Sequence, residues 1–371
     1  MRVCAACAAG ALAVMAACAA PEHPDASARH AQASPGAPRA GDGGVRLESL
    51  RRARVWAEPP QPISAADLAA NPPGPGSFRT DEVLSCTFVL RHSDGWSPKF
   101  DCTLDGGEQV RVKYGHKSAE VFAEVAATRL LSALGFGADR MYVVSGVRCR
   151  GCPLFPYPKL EILDAVRRDQ GREVTFDMAV IERKMPGRAI QDGLAEGWTW
   201  PELDLVDPSL GGSSAEEVDA LRLAAVFLGH WDNKAANQRL QCLPGADGPQ
   251  GCTQPFALVQ DLGQTFGPRS VDLDGWRSRA MWSDAAACRV SMKGLPYDGA
   301  TFEDTEITEA GRRFLGRRLR QLSHAQLRAL FAGARFPEFA RQSPAGRDVE
   351  NWARAFEDRV RQIVDRPPCP R

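Results

Sequence analysis

The 371-residue chain has no charge imbalance, since 46 lysines and arginines meet 46 aspartates and glutamates. Without a basic excess, composition points neither to nucleic acid nor to an anionic membrane surface as a partner. The apolar run at the N-terminus falls short of a membrane span: Val3 to Ala17 is 15 residues, and a spanning helix needs about 20. Apart from Cys4 and Cys7 in that apolar run, Cys149-Arg-Gly-Cys152 has no second C-x-x-C to complete a zinc site, nor a thioredoxin-like strand and helix around it, so a structural disulfide is expected there. What is present is 44% apolar content, enough for an ordinary core in one large domain or two moderate ones.

The first 18 residues read as an export signal: Met1-Arg2, an Ala-rich apolar run, and the sequence VMAAC ending at Cys18. VMAAC resembles a bacterial lipobox, which implies a lipid anchor on Cys18 and a periplasm-facing or cell-surface location. Met15 stands where that pattern usually has Leu, and ordinary cleavage after Ala20 is the alternative. Setting aside Cys4, Cys7 and Cys18 leaves eight cysteines, an even number that suits disulfides in an exported chain. A hairpin turning at Asp94-Gly95 would bring Cys86 opposite Cys102, and Cys242 and Cys252 flank the turn-rich insert Pro244 to Gly251. Residues 19–80 read as a low-complexity tether and N-terminal extension: 19–44 lack periodicity and are rich in Ala, Pro, Gly, Ser and Asp, and 45–80 add one short helix around Leu47 to Trp56.

From Val83 the pattern changes. VLSCTFVL, FDCTL and EQVRVKY, separated by turn signals, predict three strands joined by two hairpins. Ser118 then opens a helix that stops at Gly135, with Glu120 and Glu124 one turn apart on the same face. RMYVVSGVRC and VTFDMAVIERKMPG read as two further strands. Ser214 and Glu217 form a capping box for a helix ending near His230. Residues 264–308 hold few regular signals, and the tail is helical, with Val349, Trp352, Phe356, Val360 and Ile363 on one apolar face. The arginines at 312, 313, 317, 318 and 320 read as a solvated helix face.

The chemistry-bearing stretch is 226–263. Asp232, Lys234 and Asn237 stand as D-x-K-x-x-N after His230, and a short apolar strand leads into Asp261-Leu262-Gly263. Order and spacing resemble the protein-kinase signature H-R-D-x-x-x-x-N followed by D-F-G. The helix pattern E-x-x-x-x-x-L-x-x-x-L-G from Glu124, and Gly95-Trp96-Ser97-Pro98-Lys99 beside a G-x-x-P-K phosphate loop, resemble HipA-type and atypical secreted kinases.

This resemblance implies an α+β, two-lobed kinase-like fold. Residues 81–187 would form an N-lobe of antiparallel sheet plus one long helix, and 188–366 a mainly helical C-lobe. It implies an ATP- and Mg²⁺-dependent phosphotransferase acting on a protein or small-molecule hydroxyl. Asp232 would orient the acceptor and Lys234 would neutralise the transferring group. Asn237 and Asp261 would bind metal. Lys113, paired with Glu124, would hold the donor phosphates, with Gly95, Ser97 and Lys99 beside it. The crossing from Glu182 to Gly187 would hold adenine through its backbone, although Arg111 stands where kinases carry a small residue. Gly263 would let the chain turn after the metal ligand. The rival readings are an exported pseudokinase or binding scaffold, a nucleotidyl transferase on the same site, and a disulfide-stapled lipoprotein without a nucleotide site.

Overall fold

Period-two alternation sets the first three strands, β1 (Val83–Val89), β2 (Lys99–Leu104) and β3 (Gln109–Lys113). Leu84, Cys86, Phe100, Cys102, Val110 and Val112 fall on one side and are buried together. The computed structural model describes residues 44–91, 97–115, 118–153, 156, 172–192, 197–249, 251–296, 299–339 and 343–370. The export signal with Cys18, the tether to residue 43, and Gly95 of the phosphate loop lie outside the described residues.

Each of the two later runs read as a single strand is in fact two. β4 (Arg140–Val143) and β5 (Gly146–Arg150) separate at Val144-Ser145, and β6 (Glu173–Asp177) and β7 (Val180–Arg183) separate at Met178, whose φ is 54°. The sheet runs β4-β7-β3-β2-β1-β5-β6. All neighbours are antiparallel except β1 and β5, which pair in parallel, so the expected purely antiparallel sheet is corrected. The break after β4 leaves that strand on β7 at one edge and carries β5 across to β1.

Helix α2 (Ala119–Leu134) ends at Gly135 in the left-handed conformation, with φ 92°. Ser118 occupies the N-cap position without making a side-chain cap bond. The helix is buried on nearly all sides because a segment preceding the sheet covers it. That segment is residues 44–80, which begin with α1 (Val45–Arg51), and its packing corrects the tether reading at this end. Leu50, Ala53, Val55, Trp56, Ile63 and Leu68 are core residues. Trp56 Nε1 donates to the Leu134 carbonyl at 2.8 Å, capping the end of α2. Arg129 of α2 donates to the Ala69 carbonyl and to Asn71 Oδ1, both at 2.9 Å. The apolar spacing of this segment is irregular, so no single period marks it as core.

Among the described residues the remaining helices are α3 (Ala215–Leu228), α4 (Leu273–Ser278), α5 (Glu309–Leu319), α6 (His324–Gly333), α7 (Phe336–Phe339) and α8 (Val349–Val364). The Ser214/Glu217 capping box forms as expected. Beside these helices lies a three-stranded antiparallel sheet of β8 (Arg188–Ala189), β9 (Gln238–Cys242) and β12 (Pro255–Val259), in the order β12-β9-β8. Two short strands, β10 (Asp247–Gly248) and β11 (Gly251–Cys252), close the turn between β9 and β12. Residues 43–371 form one unit, a mixed α+β architecture compatible with a kinase-like fold. Among the described residues no helix is long and apolar enough to cross a membrane.

Trp276 packs in tilted contact with Trp352 and Phe356, and the fully buried Arg359 lies 5.1 Å from the Trp276 ring centroid. Its guanidinium donates to the carbonyls of Phe227 at 3.0 Å, Trp276 at 2.8 Å and Arg279 at 2.9 Å. A cation thereby caps the last turn of α3, where the helix dipole favours it. The arginine cluster is not wholly solvated either. Arg312 is buried on Glu309 and the Ile363 carbonyl, and Arg318 stacks 3.5 Å from the Phe314 ring centroid.

Among the described residues four disulfides form, Cys86–Cys102, Cys149–Cys152, Cys242–Cys252 and Cys288–Cys369. The first is diagonal rather than directly cross-strand, because Cys86 faces Leu104 and Cys102 faces Phe88. This complement fits an oxidising, exported setting.

The packing of residues 44–80 predicts the outcome of truncation. A chain starting at residue 44 is expected to keep the melting temperature of the full chain, and one starting at residue 81 to lose its cooperative transition. Trp56→Ala should cost about 3–5 kcal/mol in urea unfolding. A cooperative transition in the chain starting at 81 would show that the segment is an appendage.

Candidate active site

Lys113 ends β3 and is buried, so its ammonium must find partners within the protein. Nζ lies 2.5 Å from Glu124 Oε2 on α2, 3.0 Å from Glu182 Oε2 on β7 and 4.0 Å from Asp261 Oδ1. The structure thus makes the expected Lys113–Glu124 pair. Burial works against the charged lysine, but the three carboxylates outweigh it and hold its pKa well above the usual range. Burial, and the neighbouring Glu182, push Glu124 up. Burial opposes ionisation of Glu182 as well, yet Lys113 and Lys184 hold it well below the usual carboxylate range.

Glu182 therefore takes a different place from the one read in the sequence. Its side chain is a second carboxylate on Lys113, and its backbone belongs to the ladders with β3 and β4. The crossing that follows has its own internal partners. Lys184 is paired with Glu182 and, at 2.9 Å, with the fully buried Asp139. Met185 N–H donates to Asp139 Oδ1 at 3.0 Å, and the Met185 carbonyl accepts from Gln241 Nε2 at 3.1 Å. The backbone donor and acceptor of Met185, within the crossing expected to hold adenine, are thus engaged inside the protein.

Lys99 faces Lys113 directly across β2 and β3. Burial and the Lys113 charge lower its pKa. Ser97 is buried and hydrogen-bonds Glu120, whose carboxyl is raised by burial. Ser97 and Lys99 therefore border the Lys113 cluster.

The loop carrying Asp232 begins where α3 stops, at Gly229 with φ 70°. Lys234 Nζ lies 3.1 Å from Asp232 Oδ1, and Asn237 Nδ2 donates to the Asp232 carbonyl at 2.7 Å. Burial raises the Asp232 pKa against the pull of Lys234, which makes it a better proton acceptor. Asn233 was not singled out in the sequence, yet it organises this loop. Its Nδ2 donates to the His230 carbonyl at 2.9 Å, while Oδ1 accepts from Thr301 N at 2.9 Å and Phe302 N at 2.8 Å. Only its place inside D-N-K marks it in the sequence.

The hairpin β9–β12 then brings Asn237 and Asp261 together. Gln238 faces Val259, and Gln260 N–H donates to the Asn237 carbonyl at 3.0 Å, with the Cys242–Cys252 bridge at the opposite end. Asp261 itself makes the turn, with φ 52°, a left-handed conformation that Asp tolerates better than most residues. Gly263 is required for another reason: a Cβ there would lie 2.4 Å from Glu120 Cγ. Asp261 is 43% exposed at its side chain and Asn237 has its amide nitrogen engaged, leaving carboxylate and amide oxygens as metal-ligand types. Mg²⁺ takes one or two protein ligands and completes its shell with water and phosphate oxygens, so this pair fits it. No group of three or more His, Cys, Asp or Glu suited to a metal occurs among the described residues.

No family model matches the chain, and no curated protein matches it. Among solved structures it is similar to the Helicobacter pylori proinflammatory kinase CtkA, at 11% identity and a TM-score of 0.41, over 76% of this chain and 94% of that one.

His230 offers a test of burial in this site. It is fully buried, neither ring nitrogen has a hydrogen-bond partner among the described residues, and burial lowers its pKa to about 4. A depressed histidine contributes stability that is full above its unfolded pKa near 6.5 and is lost as pH falls toward 4. Replacing it, His230→Leu, should remove a pH-dependent loss on the order of 3 kcal/mol between those values, read by urea unfolding at several pH values. An unchanged slope would mean that the ring is solvated.

Proposed function

We propose that this chain is an exported phosphotransferase of kinase-like fold, anchored by lipid on Cys18. With Mg²⁺ it transfers the terminal phosphoryl group of a phosphoanhydride, ATP in the kinase resemblance, to a hydroxyl of a protein or small molecule. The observation that carries the reading is the convergence of four elements on Asp261. β3 supplies Lys113, α2 supplies Glu124, the loop after α3 supplies the Asp232–Lys234 pair, and the short turn before β9 ends at Asn237. Asp232 accepts the hydroxyl proton, Lys234 and Lys113 offset charge on the phosphoryl oxygens, and Asn237 with Asp261 would hold the metal, which would supply further charge neutralisation. The four disulfides support the exported setting.

A non-catalytic scaffold is the second reading. What favours it is that Lys113 is already neutralised by both Glu124 and Glu182. Site variants separate the two. Wild type should be stabilised by MgATP by roughly 2.7 kcal/mol at about a hundred times the dissociation constant, a shift of a few degrees. Asp261→Ala should abolish that shift. Asp232→Ala should keep it and lower turnover by about 10²-fold or more. Equal shifts in wild type and Asp261→Ala would refute the metal assignment, and no shift in wild type would favour the scaffold.

A further inference from the structure

Beside the Lys113 cluster lies a cavity of about 710 Å³, with Glu182 as part of its wall. Glu182 borders both this cavity and Lys113, so a nucleotide with its phosphates at Lys113 and Asp261 would meet the cavity with its base. A base is held by hydrogen bonds to its edge and by apolar or aromatic faces above and below it. Here the adjoining backbone donor and acceptor at Met185 are engaged by Asp139 and Gln241. Tyr142, Val110, Pro75 and Pro186 contribute to the lining, but the Tyr142 ring is buried against Phe78 and the Arg183 guanidinium. The rest of the lining is strongly basic, with Arg91, Arg111, Arg140, Arg183, Lys184 and Arg239 on it. Three carboxylates, Asp101, Glu108 and Glu182, share that lining. They are committed to ion pairs with Arg111 at 2.9 Å, with Arg183 at 2.6 Å and with Lys184. Arg140 and Arg239 remain without a carboxylate partner among the described residues.

Resting on the phosphotransfer reading above, we propose that the donor is a linear phosphate polyanion of the inorganic polyphosphate class, recognised without a base. Its terminal phosphates lie at Lys113, Lys234 and the metal ligands, and the following phosphates occupy the basic cavity, where guanidinium forks match phosphate oxygens. In the transfer step the acceptor oxygen bonds to the terminal phosphorus as the bond from that phosphorus to its bridging oxygen breaks. The hydroxyl proton passes to Asp232 and then to solvent. The leaving group is the same chain, one phosphate shorter. ATP enters the site through its triphosphate alone.

The test is calorimetric binding to the full, oxidised chain in Mg²⁺, with tripolyphosphate, long-chain polyphosphate, ATP and GTP as probes. Tripolyphosphate, ATP and GTP are expected to bind alike, and long-chain polyphosphate at least about tenfold tighter. In the double variant Arg140→Ala/Arg239→Ala that tenfold gain should vanish, with tripolyphosphate binding and the unliganded melting temperature unchanged. ATP binding at least about tenfold tighter than both GTP and tripolyphosphate would show that the base is read and would overturn this proposal while leaving the phosphotransfer site standing. A long-chain gain that survives in the double variant would overturn it as well. Failure of every probe to bind would remove the phosphotransfer reading itself.

Discussion

A lysine ammonium sealed from solvent cannot stand alone, since leaving a buried charge unpaired costs several kcal/mol. Lys113 resolves this by drawing Glu124 from α2 and Glu182 from β7 to within 3.0 Å, and sheet and helix must meet in one register for it to do so. Two carboxylates on one ammonium leave the cluster short of positive charge, which Lys184 supplies on the far side of Glu182. The position of α2 is thus set by electrostatics at its middle and by packing at its end.

That packing comes from residues 44–80. Trp56 closes the last turn of α2, and Arg54 two residues earlier exchanges backbone hydrogen bonds with Pro255 and Ala257 on β12. One short segment therefore ties the helix bearing Glu124 to the strand that leads into Asp261. A covalently continuous strap thus fixes the positions of Glu124 and Asp261 relative to each other.

The features legible in the sequence were those with a short-range signature. β1 to β3 follow from alternation, α3 from its capping box, and the nearness of Asn237 to Asp261 from the resemblance of their motif order. The choice of Glu124 over Glu120 rested on the resemblance of the helix pattern, and Glu124 is the carboxylate that pairs with Lys113. What escaped was long-range. Glu182 became a buried partner of Lys113 only through the β3–β7 register, and Asp139 reaches Met185 across 46 positions. The break in β4–β5 depends on which neighbour each half finds. The segment at 44–80 looked like a linker because its apolar residues share no single period, although each fills a place in the core.

The four disulfides have an order that bears on how the chain acquires its shape. Cys86 joins Cys102, Cys149 joins Cys152, Cys242 joins Cys252 and Cys288 joins Cys369. Among these eight cysteines each bonds with its neighbour in sequence, and no loop interleaves with another. For a polypeptide that meets an oxidant from its N-terminal end, this is the pairing that first encounters produce. No bridge has to be broken and remade, so the hairpin behind Asn237 and Asp261 can be clamped before the helices that bury it have arrived.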